Sequence, residues 1–144
     1  MKHICAVLCL VASPVVAQQP DPLPQLIEQD AWSQAFGTCA GFYEALMGRG
    51  SEAEFGAQAW AQINTAYEDL ILASAVAHAA DDADMEMGLT AAYQFSAIAS
   101  GDYIARFESN FAASGEIIAG STALETDLEI CSAMSTMASQ IGKN

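Results

Sequence analysis

Side chains that suit a soft metal ion lie close together near the middle of the chain. His78 is followed by Met85 and Met87, with an aspartate-rich segment at 81–84 between them. Imidazole and thioether groups are ligands that Cu(I) prefers, so His78, Met85 and Met87 form a candidate copper site. On a continuous helix the two methionines would point about 200° apart, which favours a second interpretation. In that interpretation the methionines fill gaps in a core, and the aspartates cap the start of a helix.

Two of the four cysteines are candidates for a disulfide. Cys5 and Cys9 lie in an N-terminal segment that we expect to be removed, which leaves Cys39 and Cys131. Two thiols in an oxidising compartment usually pair, although two separate buried thiols are the alternative. In the chain-entropy model, closing so long a loop stabilises a fold by roughly 4 to 5 kcal/mol. The sequence therefore predicts a structural disulfide between Cys39 and Cys131.

Motifs of familiar catalytic and cofactor sites are absent from the sequence. It contains no Gly-x-Ser-x-Gly, no His-Glu-x-x-His and no Cys-x-x-Cys-His motif. The aspartates at 81–84 could bind Ca²⁺, but they lack the glycine and glutamate positions of an EF-hand loop. We therefore expect no catalytic residue, no cofactor and a non-enzymatic role.

The first 17 residues have the pattern of a cleavable signal peptide. Lys2 supplies a positive charge, residues 4–12 are apolar, and small residues precede a cleavage site after Ala17. The apolar run is about half as long as the roughly 20 residues that a membrane-spanning helix requires. We expect an exported protein, periplasmic or secreted, that is not held in a membrane after processing.

The chain is strongly acidic. It has 18 acidic and four basic residues, a net charge of −14, and loss of Lys2 with the signal peptide would make this about −15. Such a surface repels phosphate backbones and anionic lipid headgroups, which disfavours nucleic-acid binding and electrostatic docking on membranes. It would attract a basic protein partner. The apolar fraction of 53% also leaves room for a partner groove or a homo-oligomer face.

Apolar residues recur at helical spacing through most of the chain. In the first predicted helix they are Trp32, Phe36, Cys39, Tyr43 and Leu46. The proline-rich residues that precede this helix predict a short extended lead-in. The lead-in covers residues 18–24, and the predicted helices cover 25–47, 51–80, 83–113 and 122 to the end, with capping boxes at Ser51 and Thr122.

Four helices with short connections predict an all-α fold, an up-down-up-down four-helix bundle in which residues 25–144 form one domain. The first and last helices are neighbours in such a bundle, so one disulfide between Cys39 and Cys131 would join them. Gly37 and Gly41 would let another helix approach the first helix closely. Aromatic residues at helical spacing, including Tyr93 and Phe111, are predicted to lie in the core.

One short segment resembles a known group of proteins. Residues 37–43, Gly-Thr-Cys-Ala-Gly-Phe-Tyr, resemble the first-helix segment of small periplasmic helical proteins. That group includes acid-stress chaperones and immunity proteins that neutralise periplasmic toxins, but the resemblance implies no functional residue. Our leading expectation is an exported helical-bundle protein that binds another protein. The alternatives are an acid-stress-type chaperone, a toxin-immunity protein and a periplasmic copper-binding protein.

Overall fold

The structure is a computed structural model that describes residues 22–80 and 84–141. Across these ranges the chain forms helices and no strand, which confirms the predicted all-α class. The signal peptide predicted at 1–17, with Cys5 and Cys9, lies outside the described residues. None of the described helices is long and apolar enough to cross a membrane. The helices are α1 (Leu23–Glu28), α2 (Trp32–Arg49), α3 (Glu52–Phe55), α4 (Ala57–Ala79), α5 (Met85–Ser114) and α6 (Thr122–Ile141).

The first helix begins earlier than predicted and is interrupted. Leu23 and Pro24 belong to α1, so the extended lead-in predicted at 18–24 is wrong for these two residues, and residues 18–21 lie outside the described ranges. Proline fits the first turn of a helix because its missing N–H would have no partner there. The helix predicted at 25–47 breaks between α1 and α2, where Asp30 has a φ of 55°. Aspartate is one of the few residue types that adopt this left-handed conformation readily.

Gly56 divides the second predicted helix, 51–80, into α3 and α4. Its φ of 81° lies in the left-handed region, which glycine adopts without steric cost. The capping box predicted at Ser51 is not formed, because the Ser51 side chain makes no cap bond to the backbone and Ser51 Oγ instead donates to Glu54 Oε2 at 2.9 Å. The rings of Phe55 and Trp60, on either side of Gly56, stack with their centres 6.2 Å apart.

Side chains cap the starts of α5 and α6. Asp84 Oδ1 accepts a hydrogen bond from the Met87 amide at 2.8 Å, which confirms an aspartate cap for the third predicted helix. At α6 the cap is one residue earlier than predicted. Ser121 Oγ accepts from the Leu124 amide at 3.5 Å, and Glu125 reaches back to a loop amide at 2.9 Å.

The central helix is α2. From Ala35 to Leu46 every residue except the half-buried Glu44 is buried, and a helix apolar on all sides is one that neighbours cover on all sides. It packs against α1, α4, α5 and α6. A Cβ atom on Gly41 would lie 2.5 Å from the carbonyl oxygen of Ser96 in α5. The close helix approach predicted for the glycines of this segment is therefore confirmed.

Polar pairs fix the relative direction of three long helices. Ser33 and Ser74 join the start of α2 to the end of α4, each hydroxyl donating to the other residue's carbonyl oxygen at 2.9 and 2.7 Å. Arg49 at the end of α2 pairs with Glu108, late in α5, at 3.2 Å. Helix α2 therefore runs antiparallel to α4 and parallel to α5. The complete up-down-up-down order, which also includes α6, stays a prediction.

The predicted disulfide is present and joins α2 to α6. The Cα atoms of Cys39 and Cys131 lie 5.1 Å apart across the S–S bond. Both cysteines are fully buried, and Met134 Sδ lies 3.6 Å from Cys39 Sγ. Because thiol exchange requires access for an attacking thiolate, a disulfide buried in this way is a structural crosslink.

Candidate functional site

The proposed copper ligands are only partly brought together. His78 near the end of α4 and Met87 in the first turn of α5 both line a groove of about 440 Å³, but Met85 does not. Met85 and Met87 are 45% and 54% exposed, so the interpretation that they fill core gaps is wrong. Within the described ranges, no three His, Cys, Asp or Glu side chains are placed to bind one metal ion. Of the three predicted copper ligands, two share a groove.

A larger cavity of about 820 Å³ lies where α1, α2, α5 and α6 meet. Its size and its mixture of apolar walls with a few polar groups are typical of a ligand site. The apolar lining is Pro22, Leu23, Pro24, Ala99 and Ala123, the hydroxyl lining is Thr38, Thr122 and Thr126, and the remaining lining residues are Asp102, Tyr103, Arg106 and Asp127.

An ion cluster of Tyr103, Arg106 and Asp127 forms one wall of this cavity. Arg106 Nη2 donates to Asp127 Oδ2 at 2.7 Å, and the Tyr103 hydroxyl donates to the same oxygen at 3.1 Å. The guanidinium also lies over the Tyr103 ring, 4.8 Å from its centre. Asp127 is only 7% exposed, so these contacts satisfy a buried carboxylate that would otherwise be costly to keep ionised.

Tyr103 and Arg106 keep their protons over the ordinary pH range. Burial, reinforced by the negative charge of Asp127, raises the pKa of Tyr103 above its usual value. Burial acts to lower the pKa of Arg106, but the hydrogen bond and charge of Asp127 outweigh it, and the pKa is raised. A general acid or base needs a pKa near the working pH, so Tyr103 and Arg106 suit positioning better than proton transfer.

Asp102 is the most accessible carboxylate of the cavity. Its Oδ2 lies 3.8 Å from Arg106 Nη1, beyond hydrogen-bond distance, and its side chain is 33% exposed. Arg106 thus forms a long ion pair with Asp102, while the hydrogen bonds of Arg106 and Tyr103 go to Asp127. Asp102 is therefore the group best placed to accept hydrogen bonds from a ligand in the cavity.

Between residues 87 and 101 the outward side of α5 is an exposed surface without charge, and the exposed Glu86 and Glu108 lie at its two ends. Residues 87–101 contain no Asp, Glu, Lys or Arg. Exposed residues three or four positions apart lie on one side of this helix, and we call them together the α5 face. Its largest apolar side chains, Met87 and Ile98, are 54% and 61% exposed. The α5 face consists of Met87, Thr90, Gln94, Ala97, Ile98, Gly101 and Ala105.

Three aromatic residues predicted to lie in the core are instead at the surface, and the first is Trp32 at the start of α2, which is 37% exposed. Tyr93, at the edge of the α5 face, is 53% exposed, and Phe111 near the end of α5 is 51% exposed. Ala92 and Ser96 beside Tyr93 are buried, so Tyr93 lies on a side of α5 that its neighbours leave open, whereas Phe111 lies near the C-terminal end of the helix. Helical spacing identified an apolar stripe correctly but did not show where that stripe is covered.

The Arg106–Asp127 pair is not among the features predicted from the sequence. A partial signal was available, because Arg106 is one of only two arginines in a chain with 18 acidic residues. A carboxylate partner for it was therefore to be expected. Its partner lies on α6, across a loop of irregular structure, and the sequence offered many other acidic candidates. Only the packed arrangement of α5 and α6 selects Asp127.

Comparison of the chain with protein-family models, with curated proteins and with solved structures gave no match in any of the three. Its function therefore has to be inferred from the α5 face, the cavity and the ion cluster.

Proposed function

We propose that the protein is an exported, non-enzymatic helical domain that binds another protein through the α5 face. The observation that carries this proposal is an exposed surface, uncharged over residues 87–101, that presents two large apolar side chains on a chain with a net charge of −14. A helix side that faces only water normally carries charged residues, whereas depletion of charge is typical of the centre of an interface. Met87 and Ile98 would be the apolar anchors of this interface.

Acidic residues flank the α5 face and favour a basic partner. Glu86 precedes the uncharged segment and Asp102 follows it. Charges at the rim of an interface steer association and select the partner more than they add affinity. The overall negative charge would act in the same direction, because it raises the rate of encounter with a positively charged protein.

Export is supported by the disulfide and by the signal-peptide pattern of residues 1–17. Disulfides such as Cys39–Cys131 persist in oxidising compartments and are rare in the cytosol. We expect cleavage after Ala17 and a periplasmic or secreted location. The N-terminal sequence of the protein recovered from outside the cytoplasm would test this part of the proposal.

Photochemical crosslinking in the cells that make the protein tests the α5 face. A benzophenone side chain replaces Ile98, and the matched control carries it at Met137 of α6, an apolar residue that is likewise exposed, at 50%. We expect one discrete adduct from position 98 and none of that mass from position 137. Absence of an adduct from position 98, or equal adducts from both positions, would refute the proposal. An adduct of twice the chain's mass would show that the α5 face binds a second copy of this chain and not another protein.

A further inference from the structure

We infer that the cavity beside Asp102 receives a basic side chain of the bound partner, an ammonium group on an apolar stem such as that of lysine. This rests on the proposed function, because it assigns the partner a chemistry and a second point of contact. The observation that carries it is the distribution of charge inside the cavity together with its apolar walls.

The charge that the cavity offers to a ligand is negative. Its lining contains two carboxylates, of Asp102 and Asp127, and one guanidinium. Arg106 already donates to Asp127 at 2.7 Å and lies over the Tyr103 ring, so its positive charge is compensated. Asp102, one-third exposed, forms only a 3.8 Å ion pair with Arg106 that is too long for a hydrogen bond, so its oxygens can still accept hydrogen bonds from a cation.

The walls of the cavity suit the stem of a long basic side chain. Pro22, Leu23 and Pro24 on one side and Ala99 and Ala123 on the other present apolar atoms to its interior. Lysine and arginine bury their methylene stems against such surfaces while the charged end stays hydrogen-bonded. A volume of about 820 Å³ has room for one such side chain together with the residues beside it.

The position of the cavity links it to the α5 face. Asp102 follows Ile98 by four residues, so the two lie on adjacent turns of the same helix. Ala99, a wall of the cavity, is the next residue after Ile98. A partner that packs its apolar side chains on Ile98 could therefore extend a basic side chain to Asp102.

The contacts of Arg106 and the net charge of the chain disfavour an anionic ligand. A carboxylate could approach Arg106, but it would have to displace Asp127 from a 2.7 Å contact or lie beside Asp102. A net charge of −14 repels it during approach as well. Binding of an anion is thus the outcome that would overturn the inference.

Two matched dyes test the cavity without requiring the partner. Dansylcadaverine carries a five-carbon stem that ends in a primary ammonium, and its control is a dansyl dye whose stem ends in a carboxylate. Fluorescence anisotropy would be measured on the processed chain, on Asp102→Asn and on the control Glu129→Gln, an exposed carboxylate of α6 that does not line the cavity. Ala123→Leu, at an exposed lining position, provides a second variant that narrows the cavity without entering the core.

We expect the ammonium dye to bind wild type and Glu129→Gln equally, and to bind Asp102→Asn about tenfold more weakly, the effect of losing one charge-assisted hydrogen bond. Ala123→Leu should also weaken binding of the ammonium dye, because it narrows the cavity. Tighter binding of the carboxylate dye, equal affinity of wild type and Asp102→Asn, or no binding of the ammonium dye would overturn the inference. Dye binding without a crosslink at position 98 would reject only the proposal that the α5 face binds a protein. A crosslink without dye binding would reject only the inference that the cavity receives a basic side chain.

Discussion

Gly41 of α2 and Ser96 of α5 bring two helix backbones into direct contact. A methyl group on Gly41 would lie 2.5 Å from the Ser96 carbonyl oxygen. Because the obstacle is backbone, rotation of a side chain cannot relieve the clash. The absence of a side chain at position 41 is therefore a condition for the tight packing of α2 against α5, and the orientation of the α5 face depends on that packing.

Gly41→Ala should lower the free energy of unfolding by about 1 to 3 kcal/mol, the usual cost of overpacking a core. Gly48→Ala is the matched control on the same helix, because a Cβ atom there would meet nothing within 4 Å. The control should be neutral or stabilising by up to about 1 kcal/mol, since alanine favours helix. Urea unfolding measures both variants, and equal stabilities would contradict the close approach.

Replacing both Cys39 and Cys131 with alanine should destabilise the fold by roughly 4 to 5 kcal/mol in the chain-entropy model, since the bond closes a loop with a sequence separation of 92. In the native protein the disulfide should also resist dithiothreitol, because both cysteines are fully buried. Mass spectrometry after thiol alkylation, with and without urea, measures this resistance. Rapid reduction of the folded protein would show that the bond is exposed.

Stability should fall at alkaline pH through Tyr103. Its pKa is raised by burial and by Asp127, whereas the unfolded chain ionises tyrosine near about pH 10. The stabilisation is therefore complete below that pH and is lost as the pH rises above it, because the unfolded state releases the proton first. Unfolding free energies between pH 8 and 11 measure the decline.

Tyr103→Phe should remove part of this alkaline decline. Tyr93→Phe serves as its control, because that ring is 53% exposed on the surface of α5. An alkaline decline that is identical in wild type and Tyr103→Phe would show that the phenol is not held protonated by the fold.

Cu(I) should bind weakly and without dependence on His78. Only His78 and Met87 of the three predicted ligands share a groove, and Met85 points away because it lies two residues before Met87 in the same helix. Titration of Cu(I) into wild type and His78→Ala in the presence of a competing chelator measures the affinity. A loss of about tenfold or more in His78→Ala would restore the copper hypothesis.

The sequence was sufficient for those features that depend on local chemistry. Helical periodicity placed Cys39 on one apolar stripe and Cys131 on another. The expected loss of Cys5 and Cys9 with a signal peptide left no other partner for either, so the disulfide could be predicted. The aspartate cap of α5 was predictable because one side chain and one amide three residues later suffice to form it. Gly41 was identified for the same reason, since a helical glycine permits close approach whatever the partner.

Features that depend on how the helices cover one another could not be predicted. The break at Asp30 has no glycine or proline beside it, and the residues that follow continue the apolar spacing. Tyr93 and Tyr103 belong to the same broad apolar stripe, about 80° apart around the helix, yet only Tyr103 is covered by neighbouring helices. Asp127 resembles any other acidic residue in the sequence until α6 is packed against α5.

The central claim is that the α5 face binds a protein partner. The most direct test is the affinity of the crosslinked partner, once isolated, for wild type, Ile98→Asp and Met137→Asp, measured by titration calorimetry. Both substitutions place a carboxylate at an exposed apolar position, 61% and 50% exposed, so their effects on folding should be similarly small. We predict that Ile98→Asp weakens binding by about tenfold or more while Met137→Asp changes it by less than about twofold. Equal affinities of wild type and Ile98→Asp would contradict the claim.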